Sequence, residues 1–243
     1  MAHAFEGVLK TLRFNAHWYL GGAAGLGTGV FLLGLPLPGG VRLLAQAAWG
    51  LGAFWWVASL VGSHWIYDRS GIAQGAWLEG IDPASIRKVA VLHAGQDEAS
   101  AQVRRRLPGA EVQVFDFFDA DVNRESSLLR ARLESAGAMA APWRGAHGPY
   151  DLICLVFAAH EVREAQRLAA FLREVGGCLA PQGTLLLVEH FRDLANTVIY
   201  GPGVRHFLPP ALWWRVLADA GLRVTGLRTI TPFITVVSLG RLP

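Results

Sequence analysis

The chain is short of cysteine, short of charge and free of repeats, and each shortage removes a class of protein. Only Cys154 and Cys178 occur among 243 residues, without CxxC spacing. This speaks against a disulfide framework or a cysteine zinc site and for two buried thiols in a reducing compartment. Charged residues make up 17% of the chain, 22 basic against 19 acidic. A net charge of +3 is too weak to argue for a nucleic-acid partner. The GxGxxG fingerprint of dinucleotide binding is absent, which lowers the case for a nicotinamide enzyme. There is no internal repeat or low-complexity tract.

The missing charge is concentrated in the first third of the chain. No Lys, Arg, Asp or Glu lies between Arg13 and Arg42, and none between Arg42 and Asp68. Roughly 20 apolar residues in a helix cross a hydrocarbon core of about 30 Å. Trp18–Leu35 and Leu43–Gly62 each come close to that length, separated by Pro36-Leu37-Pro38-Gly39-Gly40, where a helix must break. A transmembrane helical hairpin is expected. Gly21, Gly25 and Gly29 fall on one face and should let the second helix approach. Trp18, Tyr19, Trp65 and Tyr67 stand where the membrane interface should be. Lys10 and Arg13 before the hairpin, with Arg69, Arg87 and Lys88 after it, favour a cytoplasmic side for both ends. A soluble buried hairpin and a cleaved signal peptide ending near Ala45-Gln46-Ala47 are the competing readings. The expected location is the inner (cytoplasmic) membrane, multi-pass, with residues 1–67 as anchor and 68–84 as juxtamembrane linker. In that linker Asp68 and Arg69 could pair as a brace. Arg104-Arg105-Arg106 reads either as a solvated helix end or as a lipid-headgroup contact.

From Ser85 strands alternate with helices. Strands are expected at Val89–His93, Val112–Phe115 (ending at Asp116), Ala138–Trp143, Tyr150–Ala158 and Gly183–Glu189, with a closing pair at Arg223–Ile230 and Phe233–Leu239. Helices are expected at Gln96–Arg106, Glu125–Ser135, Val162–Leu179 and Pro210–Ala220. Continuous apolar strands separated by helices imply an α/β, doubly wound, Rossmann-like and mainly parallel sheet. Ligands of such sheets bind beyond the carboxyl ends of the strands. There Gly95 would let a ligand approach the backbone, and Asp116 could accept hydrogen bonds from two ribose hydroxyls.

These segments resemble the class I S-adenosylmethionine-dependent methyltransferases, from about Ile86 to the C-terminus. VAVLHAGQDE stands where that family has its first strand and glycine loop, and VFDFFD where the ribose-binding acid ends the second strand. LREVGGCLAPQGTLLLVEH is similar to its helix, Leu-x-Pro-x-Gly turn and fifth strand. The loop departs from the family in keeping one glycine, with His93 at the strand end. The resemblance implies a methyltransferase-like domain over 85–243, binding S-adenosyl-L-methionine through His93, Gly95, Asp97, Glu98, Asp116, Phe117 and Phe157. Asp97 and Glu98 would meet the ammonium of the methionine moiety.

Histidines fall at strand ends: His93, His160, His190 and, in the next loop, His206. Such a cluster can bind a first-row metal, act as a general base, or hydrogen-bond locally at a pocket rim. The expected catalytic set is His190, His160 and Glu189, without a metal. Glu189-His190 leads into the long aromatic loop HFRDLANTVIYGPGVRHF, expected to cover the substrate. The expectation is a membrane-anchored methyltransferase acting on a small-molecule or lipid-like acceptor, with self-association through the hairpin open to it. The alternative is a membrane-tethered, non-catalytic Rossmann-like binding or scaffold module.

Overall fold

The computed structural model describes residues 5–97, 99–121, 123, 128–129, 132–133, 140–143 and 148–242. Glu98, most of the helix expected at 125–135 and the first residues of the strand expected from 138 lie outside them.

Seven strands form one sheet: β1 (Lys88–His93), β2 (Glu111–Asp116), β3 (Ala141–Pro142), β4 (Tyr150–Val156), β5 (Leu179–Glu189), β6 (Leu222–Thr231) and β7 (Ile234–Arg241). Their spatial order is β3-β2-β1-β4-β5-β7-β6. The pairs from β3 to β5 are parallel, while β7 runs antiparallel to both β5 and β6. The apolar strand runs are long because both faces are covered. Successive side chains alternate between those faces. Ala90, Leu92, Ile153, Leu155, Leu185 and Leu187 meet one set of helices, here numbered α5 (Ala165–Gly177) and α7 (Pro210–Asp219). Val89, Val91, Leu152, Cys154, Leu186 and Val188 face the other way.

That second face carries the main surprise of the fold. Its cover includes Ile66, Ile72, Trp77 and Leu78, together with Val103 and Leu107. Trp77 is fully buried, and its indole N–H donates to Gln102 Oε1 at 2.6 Å. The stretch expected as a linker thus forms part of the core, because β1 has too short a following helix (α4, Ser100–Arg106, not Gln96–Arg106) to cover the sheet alone. The arginine run holds it there. Arg105 donates to the Ala73 carbonyl and Arg106 to that of Gln74, while Arg104 donates to Ser100.

The two apolar segments do form a helical hairpin, α2 (Ala16–Leu33) and α3 (Gly39–Ser63), preceded by α1 (Glu6–Phe14). The close-approach face is not that of Gly21 and Gly25, which have nothing within 4 Å of a built Cβ. Tryptophans select Gly22 and Gly29 instead: a Cβ there would lie 2.7 Å from Trp56 and 2.4 Å from Trp49. Both indoles donate to α2 carbonyls, Trp49 to Leu26 at 2.9 Å and Trp56 to Tyr19 at 3.1 Å. No α2 residue is buried, and Trp18, Phe31 and Leu44 are more than 70% exposed. Among the described residues one continuous helical run, Gly39–Gln74, is long and apolar enough to cross a membrane, where the sequence led us to expect two. Asp68 serves α1 rather than bracing through Arg69: its carboxylate accepts from the N–H groups of Gly7 (2.6 Å) and Val8 (3.3 Å) and meets His64 Nδ1 at 2.9 Å.

Candidate active site at the carboxyl ends of the strands

The long loop after β5 folds as α6 (Leu194–Tyr200) and a 3-10 turn (Gly201–His206), and it docks on α3. Gly201 takes φ +51 and lies flat against Trp55, where a side chain would be both strained and blocked. The hairpin side of the molecule thereby reaches the carboxyl ends of the strands: Tyr67, just beyond α3, approaches His190 Nε2 with its hydroxyl at 3.4 Å. Residues 67 and 190 are far apart in the chain, and Tyr67 had been expected at the interface.

His190 sits between two stacked rings, Phe157 and Phe207, each 4.8 Å away. Its Nδ1–H donates to the Phe233 carbonyl at 2.8 Å, leaving Nε2 as the acceptor toward Tyr67. Burial is the main cause that lowers its pKa, to about 4, so the ring is neutral near pH 7. Phe157 has φ +49, a conformation a non-glycine residue rarely holds and one that collects at functional sites. Its N–H donates to Val188 at the end of β5.

His160 lies opposite in character. It stands on the 3-10 turn Ala159–Glu161 after β4, and Glu189, the last residue of β5, is fully buried beside it. Glu189 accepts from the His160 backbone N–H at 3.2 Å and from Nδ1 at 2.7 Å. Glu161 Oε1 lies 3.5 Å from Nε2. Burial works against the charged ring, but Glu189 and Glu161 outweigh it and raise the His160 pKa to about 10. The pair is an imidazolium oriented by a carboxylate. His206 completes the group, with its ring 5.0 Å from that of His160. Burial first, then His160 and Arg163, lower its pKa to about 3. His160, Glu161 and His206 offer ligand atoms within 4.8 Å of one another, a spread that could hold a metal ion. Arg163 Nη2, 2.6 Å from His206 Nδ1, already brings positive charge to that corner.

Of the expected cofactor residues, His93, Gly95, Asp97, Asp116 and Phe117 lie on the neighbouring edge, where β1 and β2 end side by side at His93 and Asp116, whereas Phe157 stacks on His190. Asp116 Oδ1 accepts from the Phe118 N–H at 2.9 Å, and Oδ2 takes Arg132 Nη1 at 2.7 Å. The same Arg132 nitrogen donates to the Ala94 carbonyl at 2.7 Å. Gly95 lies against Leu128, whose Cδ1 would be 2.5 Å from a Cβ at that glycine. His93 is 7% exposed, and neither ring nitrogen has a partner among the described residues. Burial lowers its pKa despite Asp116 and Asp97. Asp97 turns inward to the start of α4, accepting from the N–H groups of Ala99 and Ser100. Phe117 packs on Phe171, on the α5 side of the sheet. Sequence reasoning missed Arg132, Arg163 and Tyr67, for which no local motif exists.

Strand order and the reversed β7 are those of the α/β Rossmann-like methyltransferase fold. Comparison with known proteins agrees at that level. No family model and no curated relative matches the sequence. Among solved structures, the mitomycin 7-O-methyltransferase MmcR is similar over 100% of this chain and 74% of its own, at 14% identity and TM-score 0.59. NcsB1, an O-methyltransferase from neocarzinostatin biosynthesis in complex with S-adenosylmethionine and 2-hydroxy-5-methyl naphthoic acid, is 18% identical, with TM-score 0.50. That match covers 77% of this chain but 57% of NcsB1. An O-methyltransferase family 2 protein from Planctomyces limnophilus, in complex with apigenin, is 14% identical over 84% of this chain and 69% of its own, with TM-score 0.51. What these likenesses establish is the fold.

Proposed function

We propose that the chain is a membrane-anchored, S-adenosylmethionine-dependent methyltransferase acting on a hydroxyl of a small aromatic or amphipathic acceptor. The observation that carries the reading is the Glu189–His160 pair at the acceptor side of a sheet edge that also presents Gly95 and Asp116. The S-adenosylmethionine and hydroxynaphthoic acid bound to NcsB1, and the apigenin bound to the Planctomyces protein, support it. The residues suit the cofactor in kind: a glycine after β1, a carboxylate ending β2 and, at the end of β1, an imidazole unpartnered among the described residues. When bound, S-adenosylmethionine would supply a methyl group already activated on a sulfonium.

The protein's own part is to orient and to set charge. Glu189 fixes His160 Nδ1–H, so Nε2–H points to the Glu161 side. There it can donate a charge-assisted hydrogen bond to the oxygen of an acceptor hydroxyl that enters between Nε2 and Glu161. Glu161, which burial works to neutralise but His160 holds ionised, would take the acceptor proton as the oxygen attacks, and His160 keeps that oxygen in line. His190, neutral and clamped between rings, shapes the wall with Phe157 and Phe207 rather than taking the proton.

The hairpin would place this site at the inner membrane, with the α/β domain in the cytoplasm. Exposed apolar surface along α2 and α3 supports that placement. Arg132 on Asp116 favours the second reading, a tethered module without catalysis.

Incubating the full chain in detergent micelles with methyl-labelled S-adenosylmethionine and a hydroxynaphthoate tests the proposal. Turnover should fall roughly 10²-fold or more in His160→Gln, while His190→Gln keeps most of it. Turnover should also fall above about pH 10, as the imidazolium is lost. Methyl transfer indifferent to His160 would refute the assignment, and no transfer to any phenol would refute the activity.

A further inference from the structure

We infer that Arg132 is an internal competitor for the cofactor: its guanidinium occupies the Asp116 carboxylate that a ribose would need, so cofactor binds by displacing it. The inference rests on the cofactor reading above and adds a condition to it.

Four observations converge. Arg132 Nη1 bridges Asp116 Oδ2 and the Ala94 carbonyl, both at 2.7 Å, and so spans the gap between the β1 loop and the end of β2. That gap is where nucleosides lie on sheets of this kind. The guanidinium also stacks 3.9 Å over the Phe118 ring, a flat group lying where a flat group is expected to go. Leu128 adds an apolar stopper, seated against the one glycine of the loop. Finally, His93 beneath this edge is buried with both ring nitrogens unpartnered among the described residues. A buried imidazole left without hydrogen bonds is costly, and a polar ligand entering the edge would relieve it.

Arg132 and Asp116 keep 30% and 21% side-chain exposure, so the pair is screened by water and can open. Replacing it by two ribose hydroxyls on a carboxylate exchanges one charge-assisted contact for another. Affinity is then set by the difference between them. Removing the competitor should leave the ribose acceptor intact and tighten binding.

The test is calorimetric titration of the full chain in detergent micelles with S-adenosylhomocysteine. Wild type is compared with Arg132→Met and with Leu128→Ala, which opens the glycine face without touching charge. Both variants should bind roughly three- to tenfold more tightly than wild type, from a screened, partly buried contact. Wild-type affinity should rise between about 0.05 and 0.5 M salt as the pair is screened, and this rise should vanish in Arg132→Met. Circular dichroism checks that each variant is folded, and Leu128→Ala keeps the question open to measurement if Arg132→Met is not. Folded variants that bind no more tightly than wild type overturn the competitor and leave the cofactor reading standing. Silence in all three proteins overturns the cofactor reading, and the competitor with it.

Discussion

Acid should unfold this protein through His190, and the size of the effect follows from its surroundings. Burial between Phe157 and Phe207 holds the ring neutral and lowers its pKa from 6.5 to about 4. Below pH 6.5 the unfolded chain binds a proton at this residue that the folded chain refuses, so stability rises with pH in this window. The contribution is fully present above pH 6.5 and is lost as pH falls from 6.5 to about 4. Across the full shift this amounts to about 3 kcal/mol, and between pH 7 and pH 5 to about 2 kcal/mol. With a urea slope of roughly 2–3 kcal/mol per molar, the midpoint should drop by about 0.6–1 M over those two pH units. His190→Gln keeps a donor for the Phe233 carbonyl but does not titrate, so its midpoint should fall less by that amount. Other acid-sensitive groups, His206 among them, remain in both proteins and cancel in the comparison. Equal slopes in wild type and His190→Gln would show that the ring is hydrated and the stacked arrangement wrong.

Two further outcomes follow from the packing. Trp77→Ala empties a fully buried site and removes the indole donor to Gln102 Oε1, and it should cost about 3–5 kcal/mol, read as a fall in the urea midpoint of the whole domain. A loss under 1 kcal/mol would put Ile66–Leu78 outside the core. If the hairpin spans a bilayer, the intact chain should stay with membranes through carbonate extraction, and its recovery in the soluble fraction would remove the anchor from the proposed function.

Much of the sheet could be read from the chain, and the reason is periodicity. Short uncharged runs such as Leu152–Val156 and Leu185–Val188, bounded by turn residues, read as strands buried on both faces, and they lie within the observed β4 and β5. The closing pair β6–β7 was legible in the same way. Local signals also placed the hairpin break at Pro36–Pro38 and Asp116 at a strand end.

What the chain by itself determined was therefore the order of elements and which titratable groups stand at strand ends, because both depend on local hydrophobic pattern. It did not decide which of those groups meet. His160 reaches Glu189 and His190 does not, because the turn after β4 carries His160 back over β5 while His190 points on toward Phe233. Gly22 and Gly29, rather than Gly21 and Gly25, lie under the second helix because two indoles across the hairpin choose the face. Trp77 enters the core, Tyr67 meets His190 and Arg132 meets Asp116 through contacts between residues distant in sequence. Such contacts leave no periodic trace. They arise only when a folded surface offers a buried partner, and tertiary structure alone supplies that.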